Sequence, residues 1–247
     1  MARTRLDQLI VARGLAMSRE RAQALVIGNH VTVNGVAITK AGTQVDDDAE
    51  IQLKTADHPW VSRGGLKLVR ALEAFAIDVT GALALDIGAS TGGFTDVMLQ
   101  HGAARVIAID VGHNQIDWKL RNDPRVVVRE GVNARYLTAA DLPDDARAFD
   151  LVTIDVSFIS LALILPVVPA LLKPTGRVVA LVKPQFEAGR DEVGKGGIVR
   201  DPETHTRVVA DVTRAAAAVG LKRLGLEPSP IEGAEGNKEF LLCLALA

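Results

Sequence analysis

Residues 82–94, ALALDIGASTGGF, decide how the chain is read. Leu83, Leu85 and Ile87 stand among small residues in a short apolar run, the pattern of a buried parallel strand. The run gives way to Gly88-Ala89-Ser90-Thr91-Gly92-Gly93, after which Phe94 to Gln100 has helical spacing. A strand, a glycine turn and a helix build the nucleotide crevice of an open α/β sheet. Glycines there let the backbone pass close under a ligand. Some 22 residues after Gly88, a second apolar run, Arg105 to Asp110, ends in a carboxylate that can accept both hydroxyls of a ribose.

That geometry leaves two ligands open. A dinucleotide calls for G-x-G-x-x-G, with a helix N-terminus under the pyrophosphate. Here Ser90 replaces the second glycine and the pair Gly92-Gly93 comes later. S-adenosylmethionine has no pyrophosphate, and its loop only has to clear an amino-acid tail and a sulfonium. The loop favours S-adenosylmethionine, with an ordinary tight turn as the alternative. On that reading the cofactor contacts come from Asp86, Gly88, Ala89, Ser90, Thr91, Gly92, Gly93, Phe94 and Asp110, and from Asn133 and Asp155 further on.

The chain has 247 residues, enough for one large core or a small domain beside a medium one. Its net charge of −2 hides an imbalance: residues 1–40 hold six basic side chains against Asp7 and Glu20. A basic face on a near-neutral protein points to a polyanion partner. A single cysteine, Cys243, excludes an intramolecular disulfide framework and suits a reducing compartment. The charged N-terminus lacks a signal segment. The longest apolar stretch, Phe158 to Leu172, carries Ser160, Pro166 and Pro169 and falls short of a membrane helix. A cytoplasmic protein is expected, acting as a monomer.

Residues 1–54 form a unit of their own. Leu6, Leu9, Ile10 and then Ala22, Leu25, Val26 predict two short helices joined at Arg13-Gly14-Leu15, with Ser18 capping the second. Val31 to Ile38 alternates around Asn34-Gly35, a hairpin, and residues 49–53 close a small sheet. Residues 55–60, TADHPW, are the linker, and residues 61–247 the second domain. In that domain Leu66 begins an amphipathic helix running to about Phe75, with Lys67 on it. Val126 to Glu130 is a third strand, followed by Asn133, which can meet an adenine rim or make a turn. Phe149 to Phe158 is a fourth, with Asp155 on the ligand side of the sheet. A helix over Leu161 to Leu172 and a fifth strand ending at Lys183-Pro184 come next. A lysine at the end of a buried strand favours function over structure. Residues 188–199 are glycine-rich, a lid or a long loop. A helix from Asp201-Pro202 to Val219 and two final strands complete a doubly wound sheet of about seven strands, a Rossmann-like α/β fold.

Two resemblances add to this. The run Arg5-Leu6-Asp7, Arg13-Gly14-Leu15, Ser18-Arg19, Ala22, Leu25-Val26, Gly28, Val31 and Val33-Asn34-Gly35 resembles the alpha-L RNA-binding fold of the S-four ribosomal protein type. That resemblance implies an RNA phosphate backbone facing Arg5, Arg13, Ser18, Arg19 and Arg21, contacts that give affinity and position rather than sequence choice. Lys67, Asp155, Lys183 and Glu239, in the contexts SRGGLKL, IDVSF, LVKPQFE and GNKEFL, resemble the K-D-K-E tetrad of the FtsJ-like ribose 2′-O-methyltransferases. Taken end to end, the chain resembles the TlyA family of ribosomal RNA methyltransferases, some of which carry the name hemolysin. One departure is His58, where many relatives have a basic residue two positions before the tryptophan; it is given no function.

The resemblance implies S-adenosylmethionine as cofactor, ribosomal RNA or ribosomal subunits as partner, and Lys67, Asp155, Lys183 and Glu239 as catalytic residues. The acceptor would be a cytidine 2′-oxygen on the large subunit, the small subunit or both; short chains like this one resemble the members acting on the large subunit alone. The chemistry is consistent. A ribose 2′-hydroxyl is a very weak acid, and an ordinary lysine, with pKa about 10.4, is protonated near neutrality and a poor base. A second cation and partial burial are what make such a group useful, and carboxylates would hold the lysines in place. No metal is required, and no cysteine–histidine cluster offers a site for one. A pyrimidine-C5 enzyme would need a cysteine nucleophile, but Cys243 lies in an apolar strand. An exocyclic-amine enzyme would carry N/D-P-P-Y/F where this chain has Asp155-Val-Ser-Phe158. The competing functions are a membrane-active hemolysin and a non-catalytic RNA-binding assembly factor.

Overall fold

The structure is a computed structural model that describes residues 3–53, 58–233 and 236–247. Its chain forms two compact units, Met1–Pro59 and Trp60–Ala247. Lys54 and residues 55–57 of the expected linker lie outside the described residues.

In the first unit, β1 (Arg3–Arg5) leads into α1 (Leu6–Ala12), and α2 (Arg19–Ile27) follows. Ser18 caps α2, its hydroxyl oxygen accepting from the Arg21 amide at 3.3 Å. Leu6, Leu9 and Ile10 pack with Ala22, Leu25 and Val26 in one apolar cluster. The expected hairpin is β2 (Val31–Val33) and β3 (Val36–Ala37), turning through Asn34 and Gly35, both at positive φ. The third member of that sheet is β5 (Ile51–Leu53), paired with β2. A second pairing, β1 with β4 (Gln44–Asp46), was not foreseen, because three residues are too few to show alternation.

The second unit opens with α3 (Gly64–Ala74) and then builds a seven-stranded sheet. Its strands are β6 (Leu83–Ile87), β7 (Arg105–Asp110), β8 (Val126–Glu130), β9 (Phe149–Ile154), β10 (Leu172–Val182), β11 (Leu221–Pro228) and β12 (Phe240–Leu246). They lie in the order β11-β12-β10-β9-β6-β7-β8. Strands β10, β9, β6, β7 and β8 pair in parallel, and β12 is antiparallel to both its neighbours. Side-chain alternation sends Leu85, Ile87, Ile107 and Ile109 to one face, and Ala84, Val106 and Ala108 to the other. Both faces are covered, so the strands read as continuous apolar runs.

Helices α4 (Gly93–Gln100), α5 (Trp118–Arg121), α6 (Pro184–Glu187) and α7 (Pro202–Ala218) complete the unit. Asp201 caps α7 by accepting from the Glu203 and Thr204 amides, with Pro202 at the first helical position. The helix expected over Leu161 to Leu172 is instead three successive 3-10 turns, Leu161–Leu163, Leu165–Val167 and Pro169–Leu171. Pro166 and Pro169 remove the amides that an α-helix would need there.

Candidate active site

The loop 88–93 leaves the end of β6, which lies between the parallel strands β7 and β9. Beneath it lies Asp86, fully buried, whose oxygens accept from Thr95 Oγ1 at 2.7 Å and Thr153 Oγ1 at 2.9 Å. Burial pushes its carboxyl up to about 6, against the pull of those hydroxyls. Asp86 therefore ties the loop strand to its helix and its neighbour from below, beneath the residues that line the crevice. Gly92 stands at φ +92 at the start of α4, and a Cβ there would lie 2.2 Å from Leu120 Cδ1. Its glycine serves the turn.

Above the loop the crevice has two connected parts. One, of about 440 Å³, is lined by Gly88, Ser90, Asp110, Gln115, Asn133 and Asp155 among others. The other, about 180 Å³, is bounded by Ala89, Thr91, Gly93, Phe94, Ser157 and Lys183, and shares Gly88, Ser90, Asp155 and Ser157 with the first. A Cβ on Gly88 would sit 2.4 Å from the Asp155 carbonyl oxygen, and one on Gly93 2.3 Å from Ser62 Oγ. Ser90 sits at φ +48, in the left-handed region where the dinucleotide pattern has glycine. Its amide donates to Asp110 Oδ2 at 2.7 Å, while Asp110 Oδ1 accepts from the Gly112 amide at 2.7 Å. Each oxygen keeps a second lone pair for a ribose hydroxyl. Asn133 makes the turn: its Oδ1 accepts from the Arg135 amide at 3.1 Å, and the residue still lines the larger part.

The expected tetrad comes together as two ion pairs. Lys67, on α3, reaches Glu239 Oε2 at 2.5 Å; Lys183, at the end of β10, reaches Asp155 Oδ1 at 2.6 Å and donates to Ser157 Oγ at 3.0 Å. The register Val182 opposite Phe240 places Lys183 and Glu239 at one end of the sheet, since β12 runs back along β10. Pro184 begins α6 and leaves Lys183 extended, with φ −112 and ψ 100. Three of these side chains belong to buried residues, and the surface-charge alternative for Lys67 fails at 7% exposure. A cavity of about 420 Å³ is lined by Lys67, Lys183 and Glu239, and through Lys183 and Ser157 it adjoins the smaller part of the crevice.

Three supporting residues escaped the sequence reading. Asn237 donates from Nδ2 to the Gly197 carbonyl at 2.9 Å, and its Oδ1 accepts from the Val199 amide at 3.0 Å, so it binds the glycine-rich segment beside the cavity. Glu187 accepts from Ser160 Oγ at 2.6 Å and the Leu161 amide at 2.7 Å, fixing the loop that carries Ser157; burial raises its carboxyl above the usual range. Ser157 itself had a signal, its place two residues after a strand-end acid. Phe158 stands beside it at φ +65, 91% exposed, its ring 5.1 Å from that of Phe186.

In the first unit the expected RNA-facing residues are largely engaged within the unit. Asp7, fully buried, accepts from Arg5 Nε and Nη2 at 3.0 and 2.9 Å, from Arg19 Nε at 3.0 Å and from Gln23 Nε2 at 2.9 Å. The guanidinium of Arg5 holds its carboxyl far below the usual carboxylate range. Arg13 donates to the Ala49 carbonyl at 2.6 Å and the Asp47 carbonyl at 2.5 Å, and Arg21 to the His58 carbonyl at 3.1 Å. Ser18 is the helix cap.

Glycines that no Cβ could replace, a carboxylate with free lone pairs and two connected cavities suit S-adenosylmethionine, which is the cofactor of this domain type. The FtsJ-like methyltransferase profile matches residues 60–246 and the S4 domain profile residues 4–51. The chain is 48% identical to the 16S/23S rRNA (cytidine-2′-O)-methyltransferase TlyA of Mycobacterium tuberculosis, over 98% of this chain and 90% of that one. It is 41% identical to hemolysin A of Brachyspira hyodysenteriae, over 96% and 98%. A solved structure from Streptococcus thermophilus, titled as a hemolysin, superposes with a TM-score of 0.78 at 47% identity, over 100% of this chain and 90% of that one. The chain belongs to the TlyA family of rRNA methyltransferases, an FtsJ-like methyltransferase domain preceded by an S4 domain.

Proposed function

We propose that the protein transfers a methyl group from S-adenosylmethionine to the ribose 2′-hydroxyl of a cytidine in ribosomal RNA. The observation that carries this is the juxtaposition of two lysine–carboxylate pairs around one cavity that adjoins the cofactor crevice at Lys183. The large subunit RNA is the expected acceptor. The same reading has the enzyme act in the cytoplasm, as a monomer and without a metal.

When bound, the cofactor supplies an electrophilic methyl carbon on a sulfonium, which takes back the electron pair of the breaking carbon–sulfur bond. The protein supplies position and charge. Gly88 to Phe94 and Asp110 hold the cofactor, with Asn133 and Asp155 bounding the same crevice. Lys183, held by Asp155 and Ser157, meets the 2′-oxygen where the two cavities join. There it fixes the line of attack, a large term by itself, and as the oxygen–carbon bond forms the hydroxyl proton passes through the Lys183 amine to the Asp155 carboxylate paired with it. Lys67 and Glu239 line the same cavity, a neutral pair that fixes the ribose without adding net charge. Arg5 and Arg19 extend the positive surface of the S4 domain toward RNA phosphates.

The test incubates unmodified ribosomal subunits with labelled S-adenosylmethionine and maps the product by alkaline hydrolysis and mass spectrometry. A 2′-O-methyl group blocks backbone cleavage at its own nucleotide. Label found on a base would overturn the reading.

A further inference from the structure

The cavity beside the tetrad holds one neutral side chain whose hydrogen bonding is incomplete. Asn237 uses both ends of its amide on the Gly197 carbonyl and the Val199 amide. The Ser157 oxygen accepts from Lys183. Gln185, which lines the same cavity, has a buried Oε1 with no hydrogen-bond partner among the described residues. A buried acceptor without a donor is destabilising, and native proteins keep few of them. This one occurs two residues after Lys183, on the short helix α6 that follows it.

We infer that Gln185 is a specificity-determining residue: its carboxamide oxygen accepts a hydrogen bond from the exocyclic amine of the acceptor base. The inference rests on the 2′-O-methylation proposed above. The cavity, at about 420 Å³, is of the size that encloses a small ligand such as a nucleoside. Its ionic wall, Lys67 with Glu239 and Lys183 with Asp155, faces the ribose in that reading, so the base edge must meet neutral groups. The terminal torsion of glutamine is broad and roughly two-fold, so a small turn brings Oε1 onto the cavity face. Cytosine offers an N4 amine there, a donor for an acceptor that lacks one. Uracil would set its O4 against Oε1, two acceptors facing each other, and the glutamine oxygen would stay unpaired. A duplex hides that edge, so the acceptor nucleotide has to be unpaired and turned out of its stack to meet Gln185.

The experiment compares wild type, Gln185→Ala and Gln185→Glu on two ribosomal RNA substrates, one with the mapped acceptor cytidine and one with uridine in its place. Initial rates of 2′-O-methyl formation are read by nucleoside mass spectrometry, with S-adenosylmethionine affinity and Tm measured on each variant. Wild type should prefer cytidine by roughly ten- to hundredfold, the discrimination a good contact to a base edge supplies. Gln185→Ala should lower the cytidine rate until the two substrates differ by less than about threefold, with cofactor affinity unchanged and Tm no lower. Gln185→Glu keeps an acceptor and should keep the preference. An equal loss on both substrates, a preserved preference in Gln185→Ala, or a fall in cofactor affinity would overturn the inference. Absence of any 2′-O-methyl product from wild type would instead overturn the proposed reaction.

Discussion

Both units bury carboxylates against cations, and they do so in opposite proportions. In the S4 unit one carboxylate, Asp7, holds two guanidiniums whose side chains stay 38% and 48% exposed. In the methyltransferase unit two carboxylates hold two ammoniums one to one, and Lys67 and Glu239 are only 8% and 2% exposed. The first arrangement orients cations and leaves a net positive charge facing solvent. The second is neutral and enclosed. Burying an ion pair is no cheap route to stability, since the desolvation of two charges offsets most of their attraction. A cluster that sacrifices little, at the surface, suits attraction of a polyanion; one that sacrifices desolvation, inside a cavity, suits chemistry.

The sharpest break in that comparison is Lys183. If the enclosed pairs serve catalysis, Lys183→Ala should lower transfer by about a thousandfold or more, within the range of a lost proton-handling group. Calorimetry should show S-adenosylmethionine still binding, because the loss falls on the transition state. A variant that turns over at a tenth of the wild-type rate would sink the assignment. Lys67 tests the energetic side. Lys67→Ala strands Glu239 as a buried, unpaired charge, which costs roughly 3–5 kcal/mol of stability in such cases. Lys67→Met combined with Glu239→Gln removes both charges and should recover most of that stability in urea unfolding, without recovering activity.

Asp86 gives a smaller effect with a definite sign. Its folded carboxyl stands at about 6, above the ordinary value for an unfolded aspartate. The folded state therefore holds the proton more tightly. The stabilisation is complete below about pH 4 and is lost as pH rises through about 6. That difference from the unfolded carboxyl corresponds to about 3 kcal/mol. Asp86→Asn should flatten the fall in stability between pH 4 and 7 while keeping hydrogen bonds to Thr95 and Thr153. An unchanged pH slope in the variant would show that the carboxyl titrates normally.

How much of this was legible in the sequence follows from the range of the interactions. The strand–loop–helix at 82–94 is a local pattern and could be read directly, as could the strand-end placement of Asp155 and Lys183. The tetrad's partners could not be assigned from spacing. Lys67 and Glu239 are 172 positions apart, and Glu239 comes to the Lys183 end of the sheet only because β12 runs back along β10. The failed helix at 161–172 was legible in principle, from Pro166 and Pro169, but its apolar spacing outweighed them. The orientation of Asp86 was not legible, because a strand-end acid points either up to the ligand or down into the sheet, and the hydroxyls of Thr95 and Thr153 decide it. Gln185 left no signal at all, since an unsatisfied oxygen exists only in three dimensions.

The smallest effect concerns the arginines, and it separates charge from scaffold. Arg13 and Arg19 carry the same charge in the same unit. Arg13 gives its N–H groups to the Ala49 and Asp47 carbonyls, which ties α1 to the loop between β4 and β5. Arg19 donates to Asp7 through Nε, and among the described residues its remaining N–H groups have no hydrogen-bond partner, so they can reach a phosphate. Each phosphate neutralised releases counterions and steepens the salt dependence of binding. Arg19→Ala should therefore reduce the slope of log K against log salt by about 1, with Tm nearly unchanged. Arg13→Ala should lower Tm, because two carbonyls lose their donor, and should change the slope less. Filter binding of ribosomal RNA fragments from 50 to 300 mM salt (approximately the range over which such slopes are read), alongside thermal unfolding, measures both. If Arg13→Ala alone flattens the slope while Arg19→Ala alone destabilises, the half-exposed pair around Asp7 is scaffold, and the positive surface of this unit lies elsewhere.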